Sequence, residues 1–222
     1  MKRIYQIGFN KTATGSLSRF FTANNMKSVH YDGGKLSRTI QDNHAHNRPL
    51  LTGYEDVQCF SDIEHIGFGG EMVYTAEDLF REFYEQDPEA VYILNIRPVD
   101  DWVASRTKHG QGGYMLRAGY FHKTDAQGVQ DVWRREYHEH IAAVKDFFKD
   151  KDNLIVFDLA EHEGDYLAAE LNKRGFAVSA EHWVPSKTWH AELNYGAGQA
   201  FRALRAKLRY AGLWLGLRLR LR

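Results

Sequence analysis

Cysteine is almost absent from this 222-residue chain: Cys59 stands alone, so no intrachain disulfide is available. That usage suits a reducing, cytoplasmic compartment. No run of about 18 apolar residues occurs, so no segment reads as a membrane span. No signal peptide is visible either, because an apolar strand begins at Arg3 and polar residues follow closely. Net charge is missing as well: 29 Lys/Arg balance 29 Asp/Glu, which gives no sign of a nucleic-acid partner. Repeats and dividing linkers are absent, and the length fits one α/β-sized domain with a full core. A metal signature is also lacking. Glu136 and His140 lie four apart on a helical pattern, but without a third ligand or an HExxH arrangement they read as a solvated helix face, and no metal is expected.

What is present begins near the start. An apolar strand (Arg3–Phe9) runs into Gly8-Phe9-Asn10-Lys11-Thr12-Ala13-Thr14-Gly15-Ser16-Leu17 and then into a helix from Ser16 to about Asn24. Such a layout turns backbone N–H groups and a helix N-terminus toward an anion. Lys11 and the hydroxyls of Thr12, Thr14 and Ser16 add donors. The order differs from the nucleotide-triphosphate loop G-x-x-x-x-G-K-[ST], since Lys11 comes three residues after Gly8 and no GK[ST] follows. An ordinary strand-to-helix turn carrying a lysine is the plain alternative.

Further along, strands are expected at Ser28–Tyr31, Val57–Phe60, Ala90–Ile96 and Asn153–Asp158. Helices are expected at Ala76–Gln86 with Thr75 as N-cap, Val99–Thr107 after Pro98, Gln127–Lys149 and Gly164–Lys173. Residues 32–49 read as a loop with a helical turn at Lys35–Gln41. Residues 109–124, rich in glycine and aromatics, read as a mobile loop, with Tyr114, Tyr120 and Phe121 suited to an acceptor-binding lid. Gly33-Gly34, Gly69-Gly70 and Gly112-Gly113 mark flexible points. Strands alternating with helices predict an α/β three-layer sandwich around a central, mostly parallel sheet.

A second constellation follows the Ala90–Ile96 strand: Arg97-Pro98-Val99-Asp100-Asp101-Trp102-Val103-Ala104-Ser105. Arg97 leaves the carboxyl end of a strand, where open α/β sheets bind ligands, and Ser105 follows two helical turns on. A guanidinium fork with a hydroxyl suits a phosphate; an ion pair of Arg97 with Asp100 or Asp101 is the plain alternative.

Together the two stretches resemble the sulfotransferase family that uses 3′-phosphoadenosine 5′-phosphosulfate (PAPS). Lys11-Thr12-Ala13-Thr14-Gly15-Ser16-Leu17 is similar to its 5′-phosphosulfate loop, with Ala13 in place of the customary Gly and Gly15 in place of a Thr. Arg97 to Ser105 matches the spacing of its 3′-phosphate motif. The resemblance implies a fold similar to P-loop nucleotide kinases and sulfuryl transfer from PAPS to a hydroxyl or amine of a glycan, glycolipid or small-molecule acceptor. It implies that Lys11 stabilises the leaving phosphate, that Thr12, Ala13, Thr14, Gly15 and Ser16 cradle the 5′-phosphosulfate, and that Arg97 and Ser105 hold the 3′-phosphate. Relatives of this kind use His or a carboxylate as base. Cys59-Phe60-Ser61-Asp62-Ile63-Glu64-His65 offers Asp62 first, then His65 and Glu64; a turn-capping Asp62 and a surface His65 are the plain alternatives. A small-molecule kinase and a non-catalytic nucleotide-fold module are the rival functions.

Late in the chain, Trp183-Val184-Pro185-Ser186-Lys187-Thr188 resembles a segment that precedes a glycine-containing loop closing over adenosine, a part that Tyr195-Gly196-Ala197-Gly198 could play. Residues 1–190 are read as the catalytic domain and 191–222 as a basic amphipathic tail: from Leu193 onward there are seven Arg/Lys and no Asp/Glu. Phe201, Leu204 and Leu208 share a helical face, suited to an anionic membrane surface or to docking on the domain.

Overall fold

The computed structural model describes residues 1–67 and 71–185. Five parallel strands form the central sheet in the order β2-β3-β1-β6-β7: β1 (Ile4–Gln6), β2 (Ser28–His30), β3 (Cys59–Ser61), β6 (Val91–Ile96) and β7 (Leu154–Asp158). A separate antiparallel pair joins β4 (His65–Ile66) to β5 (Met72–Val73).

Side-chain alternation along the inner strands creates the three layers. On one face Tyr5, Phe60, Tyr92 and Leu94 meet Leu36 and Ile40 of α2 (Lys35–Ala45), Phe80 and Phe83 of α4 (Phe80–Gln86), and Val144 of α7 (Ala126–Phe147). Strand register places Tyr5 opposite both Phe60 and Tyr92, and the rings stack at 5.5 and 5.4 Å between centroids. On the other face Ile4, Cys59, Val91, Ile93 and Phe157 meet Leu17, Phe20 and Phe21 of α1 (Thr14–Ala23) and Leu167 and Leu171 of α8 (Gly164–Lys173). Each such buried side chain contributes about 1.5–3 kcal/mol by leaving water. A third cluster joins α5 (Val99–Lys108), α6 (Gly113–His122) and α7 through Trp102, Tyr114 and Trp133.

Several local expectations change. Residues 32–49 hold a full helix, α2, opened by Gly34 at φ +78°. The expected lid at 109–124 is mostly α6, in which Tyr114 is buried against the core, so Tyr114 cannot serve an acceptor from the surface; Phe121 remains exposed. The helix over 76–86 is broken into α3 (Thr75–Asp78) and α4, with Tyr74 at the N-cap. Thr75 does not cap; its hydroxyl lies 2.7 Å from that of Ser37 and ties α3 to α2. His140 is not on a solvated face: it is buried, its Nε2–H donates to the Ile7 carbonyl at 2.7 Å, and burial above all pushes its imidazole down to about 4. Residues 186–188, the Tyr195–Gly198 loop and the basic tail lie outside the described residues, as do Gly69 and Gly70. Among the described residues, no helix is long and apolar enough to cross a membrane.

Candidate functional site

The carboxyl ends of β3, β1 and β6 converge on one edge of the sheet. β1 runs out through Gly8, where a Cβ would overlap the Asn95 backbone carbonyl on β6, so only glycine lets the two backbones approach this closely. The loop that follows carries Lys11 at φ +63° and Ala13 at φ +66°, both left-handed. Such residues persist only where the surroundings over-determine them. Here they do. Asn95 Nδ2 donates to the Thr12 carbonyl at 2.6 Å and to Thr12 Oγ1 at 2.7 Å, and the Thr12 hydroxyl donates to the Phe9 carbonyl. The Asn10 N–H donates to Glu64 Oε2 at 3.1 Å, and Trp102 Nε1–H to the Asn10 carbonyl at 2.8 Å.

The same buried network continues sideways. Gln6 Nε2 donates to Asn95 Oδ1 at 2.8 Å, and Gln6 Oε1 accepts the Asp62 N–H at 2.7 Å. Gln6 and Asn95 therefore lock the loop after β1, the residue after β3 and the end of β6 into one rigid edge. Neither was singled out from the sequence. Their signal is polarity inside strands that are otherwise apolar, since a buried amide requires partners.

α1 opens at Thr14 with no side-chain cap from Ala13 and no acidic residue in its first turn. The Ser16 N–H donates to the Ala13 carbonyl at 2.9 Å, which leaves those of Thr14 and Gly15 without an intrahelical acceptor. Ser16 Oγ accepts from Arg19 at 3.0 Å, which adds a second cation to the start of this helix. The Thr12 hydroxyl is turned inward and used by the loop itself, so Thr12 is left to offer its backbone rather than its side chain.

Arg97 comes in from the other side. One Nη donates to the Lys11 carbonyl at 3.3 Å, and the other stands 3.8 Å from Asp101 Oδ2; Asp100 pairs instead with Arg134 at 2.7 Å. Tyr137 fixes the Arg97 backbone, accepting from its N–H at 2.9 Å and donating to its carbonyl at 2.7 Å. Arg97 and Ala13 line a crevice of about 340 Å³ with Leu159, His162 and Trp183. Ser105 stands one turn beyond Asp101 on the same helical face and is half-buried. Trp183 packs edge-on against Phe20 and Phe157 and over Gly164, where a Cβ would overlap its side chain.

The three candidate bases separate. Asp62 follows β3 at φ +57°, with Oδ2 3.6 Å from His30 Nε2 and Oδ1 buried without a hydrogen-bond partner among the described residues. Burial first, then the charge of Glu64, pushes its carboxyl up to about 8, while Lys11 and Arg106 pull against the rise. Lys11 is held below the ordinary ammonium value by desolvation, with Asp62 opposing and Arg97 adding to the drop. Glu64 is turned into the interior, where it accepts from Arg106 Nη2 at 3.4 Å, from the Tyr114 hydroxyl and from the Asn10 N–H. His65 faces α2, its Nε2 2.9 Å from Arg38. Only Asp62 of the three shares the Lys11 edge. His30, which sequence reasoning passed over, completes it: burial, then Arg19, pushes its imidazole down to about 4, so it is neutral beside Asp62.

No protein-family model matches this chain. Nor does any curated protein. Among the described residues, no cluster of three His, Cys, Asp or Glu side chains is arranged to hold a metal ion.

Proposed function

We propose that this protein is a PAPS-dependent sulfotransferase. The observation that carries the reading is the meeting of the Lys11 loop with Arg97: the guanidinium touches the Lys11 carbonyl and lines, with Ala13, a crevice of about 340 Å³, within the size range of small-molecule sites. A doubly phosphorylated adenosine has anions at both ends, and the loop at the α1 N-terminus and the Arg97 fork are separate anion sites of suitable chemistry.

In this reading the donor supplies the S–O bond that breaks. The chain supplies position and charge. Lys11 neutralises the phosphate oxygen that departs, an electrostatic contribution aimed at developing charge. Loop N–H groups of Thr12 to Gly15, with the Ser16 hydroxyl, orient the 5′ end; Arg97 and Ser105 take the 3′-phosphate. Asp62, as carboxylate, accepts the acceptor's hydroxyl proton as the acceptor oxygen bonds to sulfur, so the proton ends on Asp62 and the negative charge on the departing phosphate. A base whose affinity for the proton lies near the working pH is well matched to that step.

The test is transfer of labelled sulfate from PAPS to a panel of glycans, glycolipids and phenols, without added metal. Labelled product that disappears in Lys11→Ala supports the proposal. Phosphate transfer from ATP with Mg²⁺ instead would establish a kinase, and no transfer with no nucleotide binding would leave a non-catalytic module.

A further inference from the structure

His30 ends β2 in register with Ser61 of β3, and its ring bridges Ser61 and Asp62. Nδ1 lies 3.2 Å from Ser61 Oγ, and Nε2 lies 3.6 Å from Asp62 Oδ2. Nε2 also borders the anion loop, since a Cβ on Gly15 would stand 3.9 Å from it. Directly after His30 the chain passes through four consecutive residues at positive φ: Tyr31 at +58°, Asp32 at +47°, Gly33 at +60° and Gly34 at +78°. Two of them are not glycine, and such residues persist where their neighbours over-determine them, which is common at functional sites. The Tyr31 N–H donates to the Ser61 carbonyl at 3.1 Å, the Gly34 N–H to the Tyr31 carbonyl at 2.9 Å, and the Tyr54 hydroxyl to Asp32 Oδ2 at 3.2 Å. The corner that presents His30 to Asp62 is therefore held from several sides.

Ser61 is fully buried, so its hydroxyl serves the ring and not a substrate. The ring carries a single proton, because burial and then Arg19 of α1 push it down to about 4. A carboxylate only accepts. Once Asp62 is ionised, the ring proton therefore sits on Nε2, toward Oδ2, and Nδ1 accepts from the Ser61 hydroxyl. Catalytic hydrogen bonds are often long before substrates bind and tighten in the complex, and the 3.6 Å separation is of that kind. Asp62 Oδ1 is buried, which leaves Oδ2 as the oxygen within an acceptor's reach. The other charges that act on Asp62 are Glu64 from its own segment, Lys11 from the loop and Arg106 from α5. Desolvation, then Asp62, raises the neighbouring Tyr31 hydroxyl, which stays neutral.

We propose that His30 positions the base: its Nε2–H holds Oδ2 of the ionised Asp62 toward the acceptor hydroxyl, and the Ser61 hydroxyl locks the ring in that tautomer. The inference rests on the sulfotransferase reading, because it concerns the base of that reaction. A carboxylate oxygen has two lone pairs, so Oδ2 keeps His30 on one and takes the acceptor's proton on the other. The acceptor oxygen bonds to sulfur as the S–O bond to the departing phosphate breaks, and His30 keeps its own proton throughout.

Nuclear magnetic resonance tests this without nucleotide. In the parent near pH 9, above the Asp62 midpoint, ¹⁵N shifts should show the His30 ring protonated at Nε2, the signal being assigned by its loss in His30→Gln. ¹³C titration of the Asp62 carboxyl, assigned with Asp62→Asn, gives a second readout. His30→Leu removes the donor and should raise the midpoint by about one pH unit. His30→Gln is of similar size to His30→Leu but offers an amide N–H, and should bring the midpoint back close to the parent's. Ser61→Ala leaves the ring in place and should raise the midpoint by less than His30→Leu does. In sulfate transfer from PAPS, His30→Leu should lower kcat roughly tenfold with the KM for PAPS little changed. A ring protonated at Nδ1, or a midpoint in His30→Leu equal to that of the parent or of His30→Gln, overturns the inference. A parent that binds no adenosine 3′,5′-bisphosphate overturns the sulfotransferase reading, and with it the assignment of this pair to proton transfer.

Discussion

Asn95 reaches across from β6 and holds Thr12 twice, at its carbonyl and at its hydroxyl, while its own oxygen is held by Gln6. The phosphate-type loop therefore takes its shape from the neighbouring strand. Asn95→Ala takes from the buried Thr12 carbonyl its Asn95 donor and from the Thr12 hydroxyl and Gln6 Nε2 one of their two partners. It should cost about 2–4 kcal/mol in urea unfolding and loosen bisphosphate binding even where the protein remains folded. A loss of stability with unchanged binding would show that the loop keeps its form without Asn95.

Ala13 adopts φ +66° where the resembling motif carries glycine. A left-handed alanine costs about 1 kcal/mol or a little more, part of which glycine returns as unfolded-state entropy. Ala13→Gly should accordingly raise stability by roughly 0.5–1 kcal/mol, read as a shift of about 1–4 °C in thermal melting.

Arg106 is fully buried, with its guanidinium 4.7–5.2 Å from the rings of Phe9, Tyr74, Trp102, Tyr114 and Trp133. It neutralises Glu64, which in turn holds the Asn10 N–H at the start of the loop. Arg106→Met strands that carboxylate and should destabilise by about 3–5 kcal/mol, while Arg106→Met combined with Glu64→Gln should cost less than the two changes summed. Denaturant titration of the four proteins checks both statements. Glu64→Gln alone should also move the pH profile of transfer to lower pH, because the Glu64 charge helps to raise the Asp62 carboxyl.

Asp62 gives a pH signature with two parts. Its folded carboxyl is raised from 3.8 to about 8, so the native state holds the proton more tightly than the unfolded chain. The associated stability is complete below the ordinary carboxylate value and is lost as pH rises through about 8. Asp62→Asn should therefore melt close to the parent near pH 4 and above it at pH 9. The same substitution should lower the transfer rate by about 10²–10⁴-fold, while the parent's rate climbs with pH and levels off above about 8. A variant that is no more stable than the parent at high pH would show that the carboxyl is not raised.

The inner strands, α1, α5, α7 and α8 were legible because their apolar periodicity is unbroken and their ends carry strong punctuation, such as Pro98 before α5. α2 was obscured by composition. Only Leu36 and Ile40 are apolar in its buried stripe, which Ser37 and Asn43 complete, and the rest are polar residues of modest helix propensity. α6 was obscured by Gly112, Gly113 and Gly119, yet Gly112 opens the helix at φ +84° and Gly119 makes room for the Thr124 carbonyl. At the site, Lys11 and Arg97 stood out because linear motifs carry them. Gln6, His30, Asn95 and Arg106 did not, because their roles arise only when separate strands and helices are brought side by side. The sequence likewise offered Asp62 first, then His65 and Glu64, within a single short stretch, and the left-handed turn at Asp62 separates the one at the edge from Glu64 in the interior.

The central claim is that the loop and Arg97 hold opposite ends of one doubly phosphorylated adenosine. Calorimetric titration of the parent and Arg97→Ala with adenosine 3′,5′-bisphosphate, adenosine 5′-monophosphate and ATP with Mg²⁺ tests it most directly. The expected result is that the parent binds the bisphosphate most tightly, and that Arg97→Ala loses roughly tenfold or more for the bisphosphate but little for the monophosphate. Tighter binding of ATP with Mg²⁺, or equal losses for both adenosine phosphates, would contradict it.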